Sequence, residues 1–197
     1  MKTSTESELD LRIAQLRERL DRPVVVALDG RSGVGKSAVA GALAARHGGC
    51  VITADDFWSG GEDGHWAVLA PEERASLAID WRRLRTEVLE PLRDGRRASW
   101  RTFNWQAGEG LSEHELHCDP APVIVLDGAY SARPELSEVI DLAVLLTLDD
   151  STRRQRLIAR EGDGYTRRWH AIWDAAEEHY FQKTRPPHTF DMVITAD

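Results

Sequence analysis

The sequence predicts an α/β fold, a three-layer sandwich in which a mainly parallel sheet lies between helices. Three observations carry that expectation. The runs Val123–Leu126 and Leu142–Leu148 are apolar almost without interruption (Thr147 alone breaks the second), as strands covered on both faces tend to be. A third apolar run, Val24–Leu28, passes through a glycine-rich turn into the helix-forming stretch Ala38–Ala45, the start of a βα unit. Strand-like runs then alternate with helical periodicity along the chain, the order that parallel strands require for their crossovers.

The bulk composition narrows the functional classes. A chain of 197 residues has room for one domain with a sizeable core and a small lid. Its 42% hydrophobic and 29% charged residues are ordinary for a globular protein. A formal net charge of −8 argues against a polyanionic nucleic acid as partner, whereas a small bound anion needs only a local positive cradle. The two cysteines, Cys50 and Cys118, have neither metal-ligand spacing nor the density of a disulfide scaffold, and Cys50 is expected in the core. No apolar run approaches the ~18 residues of a membrane span and no signal-peptide core stands near the N-terminus, so the expectation is a cytoplasmic protein with no membrane partner. Oligomeric state is left open.

Taken in order, residues 4–21 form an amphipathic helix, with Leu9, Ile13, Leu16 and Leu20 at helical spacing, and Pro23 closes it. Strand one ends at Asp29. The next residues, Gly30-Arg31-Ser32-Gly33-Val34-Gly35-Lys36-Ser37, then Ala38, form a G-x-x-x-x-G-K-S loop with a strand before it and a helix after it. Glycines let the backbone turn its N–H groups onto phosphate oxygens, and the helix N-terminus adds its unsatisfied donors. In such a loop Lys36 reaches the terminal phosphates and the Ser37 hydroxyl is a Mg²⁺ ligand. The expected ligand is a nucleoside triphosphate, ATP or another NTP.

Gly48-Gly49 caps the loop's helix, and a second strand, Cys50–Thr53, ends in Ala54-Asp55-Asp56-Phe57-Trp58. Acids at the carboxyl end of a strand stand where open α/β sheets place ligands, and Asp55 is a candidate proton acceptor for an attacking hydroxyl. Asp56 is equally compatible with capping the following turn. Residues 59–69 are glycine-rich and read as a mobile loop; Pro71-Glu72-Glu73 then opens a helix. A helix over 81–92 carries the stripe Leu84, Val88, Leu89 and Leu92, with Asp80 at its N-cap. Residues 99–117 form a hairpin standing off the main sheet. Of the seven tryptophans, Trp58, Trp66, Trp100 and Trp105 fall in loops or this hairpin, where they either stack on a flat substrate or pack locally.

Asp127 ends the strand 123–127 and is a candidate Mg²⁺ ligand. After Asp149-Asp150, a helix from Ser151 carries Arg153, Arg156 and Arg160 on one face. Such a face is a solvated surface, or, beside a nucleotide, a phosphate clamp. Gly162-Asp163-Gly164 breaks the helix as a hinge. A last helix over 166–182 presents Trp169, Ile172, Trp173, Ala176 and Tyr180 as a core-packing stripe, and residues 190–194 form the final strand.

From Pro23 to Ala196 the chain resembles the uridine kinase and phosphoribulokinase group of P-loop kinases. The likeness rests on the phosphate loop together with Asp55-Asp56-Phe57-Trp58, Ile79-Asp80-Trp81-Arg82-Arg83-Leu84, Phe103-Asn104-Trp105, Leu126-Asp127-Gly128-Ala129-Tyr130 and Arg133-Pro134-Glu135-Leu136. The resemblance implies a nucleoside-monophosphate-kinase-like P-loop fold over 1–197, with an N-terminal helix (1–22), a hairpin insertion (99–117) and a short lid region (151–168). It implies transfer of the ATP γ-phosphoryl group to a small-molecule hydroxyl, with Asp55 as base and metal contact and Asp80 holding sugar hydroxyls. Trp58, Phe103 and Trp105 would line the acceptor pocket, Ser37, Asp55 and Asp127 would hold Mg²⁺, and Arg156 and Arg160 would close on phosphates. Nucleoside-specific members carry Tyr where this chain has Phe103, and a His shortly after that is absent from Asn104–Gly108. A nucleoside or related ribose-bearing acceptor is expected, with another hydroxylated metabolite or antibiotic as the alternative. A regulatory nucleotide-binding module without acceptor chemistry is the other class, and it would need no acid and aromatic set of this kind.

Overall fold

Strands form where β-branched residues run together, and the sheet they build is wholly parallel. The computed structural model describes residues 4–196, with side chains from residue 7; residues 1–3 and 197, the ends of the expected 1–197 span, lie outside the described residues. Strands β1 (Val24–Asp29), β2 (Cys50–Thr53), β5 (Val123–Asp127), β6 (Leu142–Thr147) and β7 (Met192–Thr195) pair in the order β2-β5-β1-β6-β7. Alternation along β1 sorts its side chains. Val24, Val26 and Leu28 pack with Leu9, Ile13 and Leu43 from α1 (Ser4–Arg19) and α2 (Lys36–His47) on one face. Val25 faces the other layer with Ile52, Ile124 and Leu126.

The second layer contains α4 (Pro71–Leu77), the helical run from Trp81 to Arg93 and α8 (Arg167–His179). Leu84, Val88, Leu89 and Leu92 are all buried, as their spacing predicts. The run is not one α-helix. Between α5 (Trp81–Arg83) and α6 (Glu90–Arg93), Leu84–Leu89 is π-helical, and the amide of Glu90 bonds to the carbonyl of Arg85. Pro91 supplies the physical reason, since it has no N–H for the preceding turn and its ring crowds that turn's carbonyl. The hairpin β3 (Ala98–Phe103) and β4 (Leu111–Cys118) forms a separate antiparallel pair with a register shift between Arg101 and Phe103.

Two expectations are corrected here. The glycine-rich segment 59–69 contains a helix, α3 (Asp63–Val68), because Trp66 is buried against Trp58 and Trp173 at ring distances of 5.0 and 5.1 Å. One buried indole outweighs the glycines around it. Cys50 is half-buried rather than in the core, since β2 is an edge strand and leaves Val51 exposed. No helix among the described residues is long and apolar enough to cross a membrane.

Candidate active site

The carboxyl ends of β2, β5 and β1 lie side by side, and each delivers an acid. Asp55 follows β2, while Asp127 and Asp29 end β5 and β1. Asp29 is the one the sequence reading missed as a structural centre. It is fully buried, and its carboxylate accepts from the amides of Gly30 (2.8 Å), Tyr130 (2.9 Å) and Ala132 (2.9 Å) and from the Tyr180 hydroxyl (2.9 Å). It thereby ties the start of the phosphate loop to the turn after β5 and to the end of α8. Burial pushes its carboxyl up, against the opposing pull of those donors and of Lys36.

The loop has the shape that its glycines permit. Gly33 and Gly35 adopt φ of +88° and +100°, and a side-chain carbon on Gly33 would come within 2.9 Å of the Arg153 carbonyl and the Leu157 side chain. Lys36, buried at the N-terminus of α2, donates to the carbonyls of Gly30 (2.8 Å) and Arg31 (3.1 Å). A cavity of about 390 Å³ opens over the loop, lined by Ser32, Gly33, Gly35, Lys36, Ser37 and Ala38 from below and by Arg156 and Arg160 from α7 (Asp150–Glu161). Asp55 and Asp127 form its inner wall. Three expected loop residues are absent from that lining. Gly30 is buried against the Leu146 carbonyl, Val34 packs in the core, and Arg31 turns away to pair with Asp174 (3.0 Å) and Asp150 (3.2 Å).

A second cavity, about 420 Å³, adjoins the first. Ser32, Asp55, Ala129 and Arg160 belong to the walls of both. Its remaining lining is mostly aromatic, with Trp58, Trp105, Tyr130, Trp169 and Trp173, and it includes the carboxylates Glu161 and Glu177. Trp105, on the hairpin tip, stacks toward Trp58 at 6.0 Å, and Trp173 meets Trp58 edge-on at 5.1 Å. The expected core stripe of α8 is thus split: Ala176 and Tyr180 are buried in the core, whereas Trp169 and Trp173 are wall residues of this cavity. Helical periodicity marks an apolar face without revealing what lies opposite it, so the sequence carried no signal that distinguishes the two.

Asp80 and Phe103 are not in that cavity. With Trp58, Gly60, Gly61 and Arg83 they line a wider groove of about 850 Å³ between the hairpin and the segment before α3. Asp80 also caps its helix, accepting from the amide of Arg83 at 3.1 Å. Asp56 accepts from the indole N–H of Trp100 at 2.9 Å and so anchors the hairpin. Arg153 shares a helix face with Arg156 and Arg160 but is 1% exposed and structural, bonded to Ser32 O (3.1 Å) and Asp174 (2.6 Å). The Gly162–Gly164 turn after α7 is tied to α8 through Glu161 and His170 at 2.7 Å.

Electrostatics single out Asp55. It is open to the cleft yet sunk between its walls, and that burial, with repulsion from Asp127 and Asp56, raises its carboxyl above the usual range against the pull of Lys36 and Arg160. Asp127 is buried, and its Oδ1 has no hydrogen-bond partner among the described residues, so it presents a bare oxygen at the cavity wall. Ser37, Asp55 and Asp127 together suit a hard cation. No cluster of three carboxylate, imidazole or thiol ligands stands among the described residues, so such an ion would take most of its shell from phosphate and water.

This architecture, a glycine-rich loop at the end of the central strand of a parallel sheet, is found in solved structures. A possible uridine kinase from Bacillus stearothermophilus superposes with a TM-score of 0.65 at 21% identity, covering 95% of this chain and 99% of that one. The chain has the P-loop kinase fold. A provisionally assigned fructose transport system kinase from Silicibacter sp. TM1040 matches with a TM-score of 0.72 at 21% identity, over 98% of this chain and 100% of that one. YFH7 of Saccharomyces cerevisiae, described as a circularly permuted P-loop kinase candidate, matches at 0.60 and 10% identity over 98% and 99%. No protein-family model matches the chain, and comparison with curated proteins finds no match. In this chain the aromatic cavity is lined from the segment after β2 (Trp58), the hairpin tip (Trp105), the turn after β5 (Tyr130) and α8 (Trp169 and Trp173).

Proposed function

We propose that this chain is an ATP-dependent small-molecule kinase that transfers the γ-phosphoryl group to a hydroxyl, with a nucleoside or related ribose-bearing compound as the favoured acceptor. One observation carries the reading: a phosphate-loop cavity and an aromatic cavity share the wall formed by Ser32, Asp55, Ala129 and Arg160. A donor in the first and an acceptor in the second would meet at a carboxylate with raised basicity. A regulatory switch has no use for that second cavity.

In this reading the loop amides and Lys36 hold the phosphates and orient the terminal one toward the shared wall. Asp55 accepts the proton from the acceptor hydroxyl as its oxygen bonds to the terminal phosphorus and the bond to the leaving ADP oxygen breaks. Arg156 and Arg160, on the lid region 151–168, neutralise charge on the transferring group. Ser37, Asp55 and Asp127 are the residues that would hold Mg²⁺, which supplies charge neutralisation at the phosphate oxygens. Trp58 and Trp105 offer flat apolar surfaces for an aromatic or sugar ring. Phe103 and Asp80 would contact a substituent that extends past Trp58 into the groove.

The test is ATP consumption with Mg²⁺ across nucleosides, sugars, pantothenate-like alcohols and aminoglycosides, with the product identified by mass. A phosphorylated nucleoside supports the full reading, and a phosphorylated alcohol of another class keeps the mechanism and moves the substrate. Nucleotide binding without any phosphorylated product overturns the kinase reading.

A further inference from the structure

α8 reaches the phosphate loop with an acid. Glu177 is 3% exposed, and one carboxylate oxygen accepts from both the amide (2.9 Å) and the hydroxyl (2.6 Å) of Ser32. Its other oxygen lies 3.5 Å from Nε of Arg31. Loop amides and hydroxyls are the donors that such a loop offers to phosphate oxygens, and here a carboxylate of the chain itself takes them. Ser32 belongs to the wall between the two cavities, beside Asp55 and Arg160. A phosphoryl group bound at Ser32 is therefore the one nearest the acceptor, with the inner phosphates over Gly35, Lys36 and Ser37.

The loop does not depend on Glu177 for its course. Arg153 holds the Ser32 carbonyl at 3.1 Å, Asp150 and Asp174 hold Arg31, and Gly33 is seated against Arg153 and Leu157. What Glu177 adds is an anion on a donor pair. A carboxylate and a phosphoryl oxygen cannot both occupy that pair at full strength, because like charges at such a distance repel strongly. The displaced carboxylate has somewhere to go: Arg31 is its neighbour on one side, and it already lines the aromatic cavity on the other.

We propose that Glu177 is an internal stand-in for the terminal phosphoryl group, holding Ser32 in the nucleotide-free protein and yielding it to a triphosphate but not to a diphosphate. The inference rests on the nucleotide-binding reading above. It makes Glu177 a positioning residue that sets the ratio of triphosphate to diphosphate affinity, and it places the released carboxylate in the acceptor cavity only when a transferable phosphoryl group is bound.

The experiment is titration calorimetry of the full chain with MgATP and with MgADP. Glu177→Gln removes the competing charge at constant size. MgATP affinity is expected to tighten about tenfold, the lower range of a like-charge penalty, while MgADP stays within about twofold. Asp174→Asn is the control, because Asp174 holds Arg31 and Arg153 but no loop amide. It should shift both nucleotides alike. Should Glu177→Gln fail to fold by thermal unfolding, Glu177→Asp, one methylene short of Ser32, is expected to change the ratio in the same direction. An unchanged or weakened MgATP affinity, or equal changes for both nucleotides, overturns the stand-in role and leaves the kinase reading intact. Failure of the wild-type chain to bind either nucleotide overturns both.

Discussion

Replacing Asp55 by asparagine separates binding from chemistry in the proposed site. Asn has the shape of Asp and keeps one oxygen for the cation, whose shell comes mostly from phosphate and water, so the loop, Lys36 and the aromatic wall keep their places and MgATP affinity should stay within about threefold. What is lost is the proton acceptor at the shared wall, and the transfer rate should fall by ~10² or more, the scale of general-base loss. The pH profile sharpens the test. Only ionised Asp55 accepts a proton, so kcat/KM of the wild type falls as pH drops through its pKa. Burial and the neighbouring Asp127 and Asp56 raise that pKa, so the acid limb should lie above the ~3.9 of an ordinary aspartate and should vanish in the variant. A carboxyl whose folded-state pKa is raised contributes stability in its protonated form, and that contribution is lost as pH rises through the folded pKa. Asp55→Asn should therefore raise the Tm of the nucleotide-free protein at neutral pH, with the gain shrinking in acid. Near-wild-type turnover in Asp55→Asn would refute the assignment of Asp55 as base.

Lys36→Ala should abolish measurable MgATP binding by calorimetry while leaving the far-ultraviolet circular dichroism unchanged. Trp105→Ala should raise the acceptor KM roughly tenfold, the loss of one stacking surface, with the ATP KM and the Tm little changed, because the ring is 61% exposed at the hairpin tip. Asp29→Ala leaves three buried amides and the Tyr180 hydroxyl without their acceptor, so urea unfolding should show a loss of about 3 kcal/mol or more. Tyr180→Phe, which removes one of those bonds and its donor together, should cost about 1 kcal/mol.

What could be read from the sequence was local. The phosphate loop is contiguous, and its glycines, Lys36 and Ser37 stand where their spacing puts them. The parallel sheet followed from almost uninterrupted apolar strands, and the hairpin from its turn residues. What escaped depends on contacts between distant segments. Asp29 looks like the end of a strand until Tyr130, Ala132 and Tyr180 arrive from more than a hundred residues away to donate to it. Glu177 looks like one more charge on an amphipathic helix, and only the packing of α8 over the loop brings it to Ser32. Arg153 has the same spacing as Arg156 and Arg160, but burial against Asp174 gives it a structural task. Glycines in 59–69 pointed to a loop, and a single buried Trp66 made part of it a helix. Trp169 and Trp173 show the same limit in another form, since an apolar stripe can face a core or a cavity.

The central claim is that donor and acceptor meet at Asp55, and the measurement that bears on it most directly is a crystal structure with MgADP and a phosphorylatable alcohol both bound. The account predicts phosphates over Lys36 and Ser37, the alcohol against Trp58 and Trp105, and its reacting hydroxyl within about 2.6–3.2 Å of an Asp55 oxygen. An alcohol seated away from Asp55, or a nucleotide bound outside the loop, would contradict it.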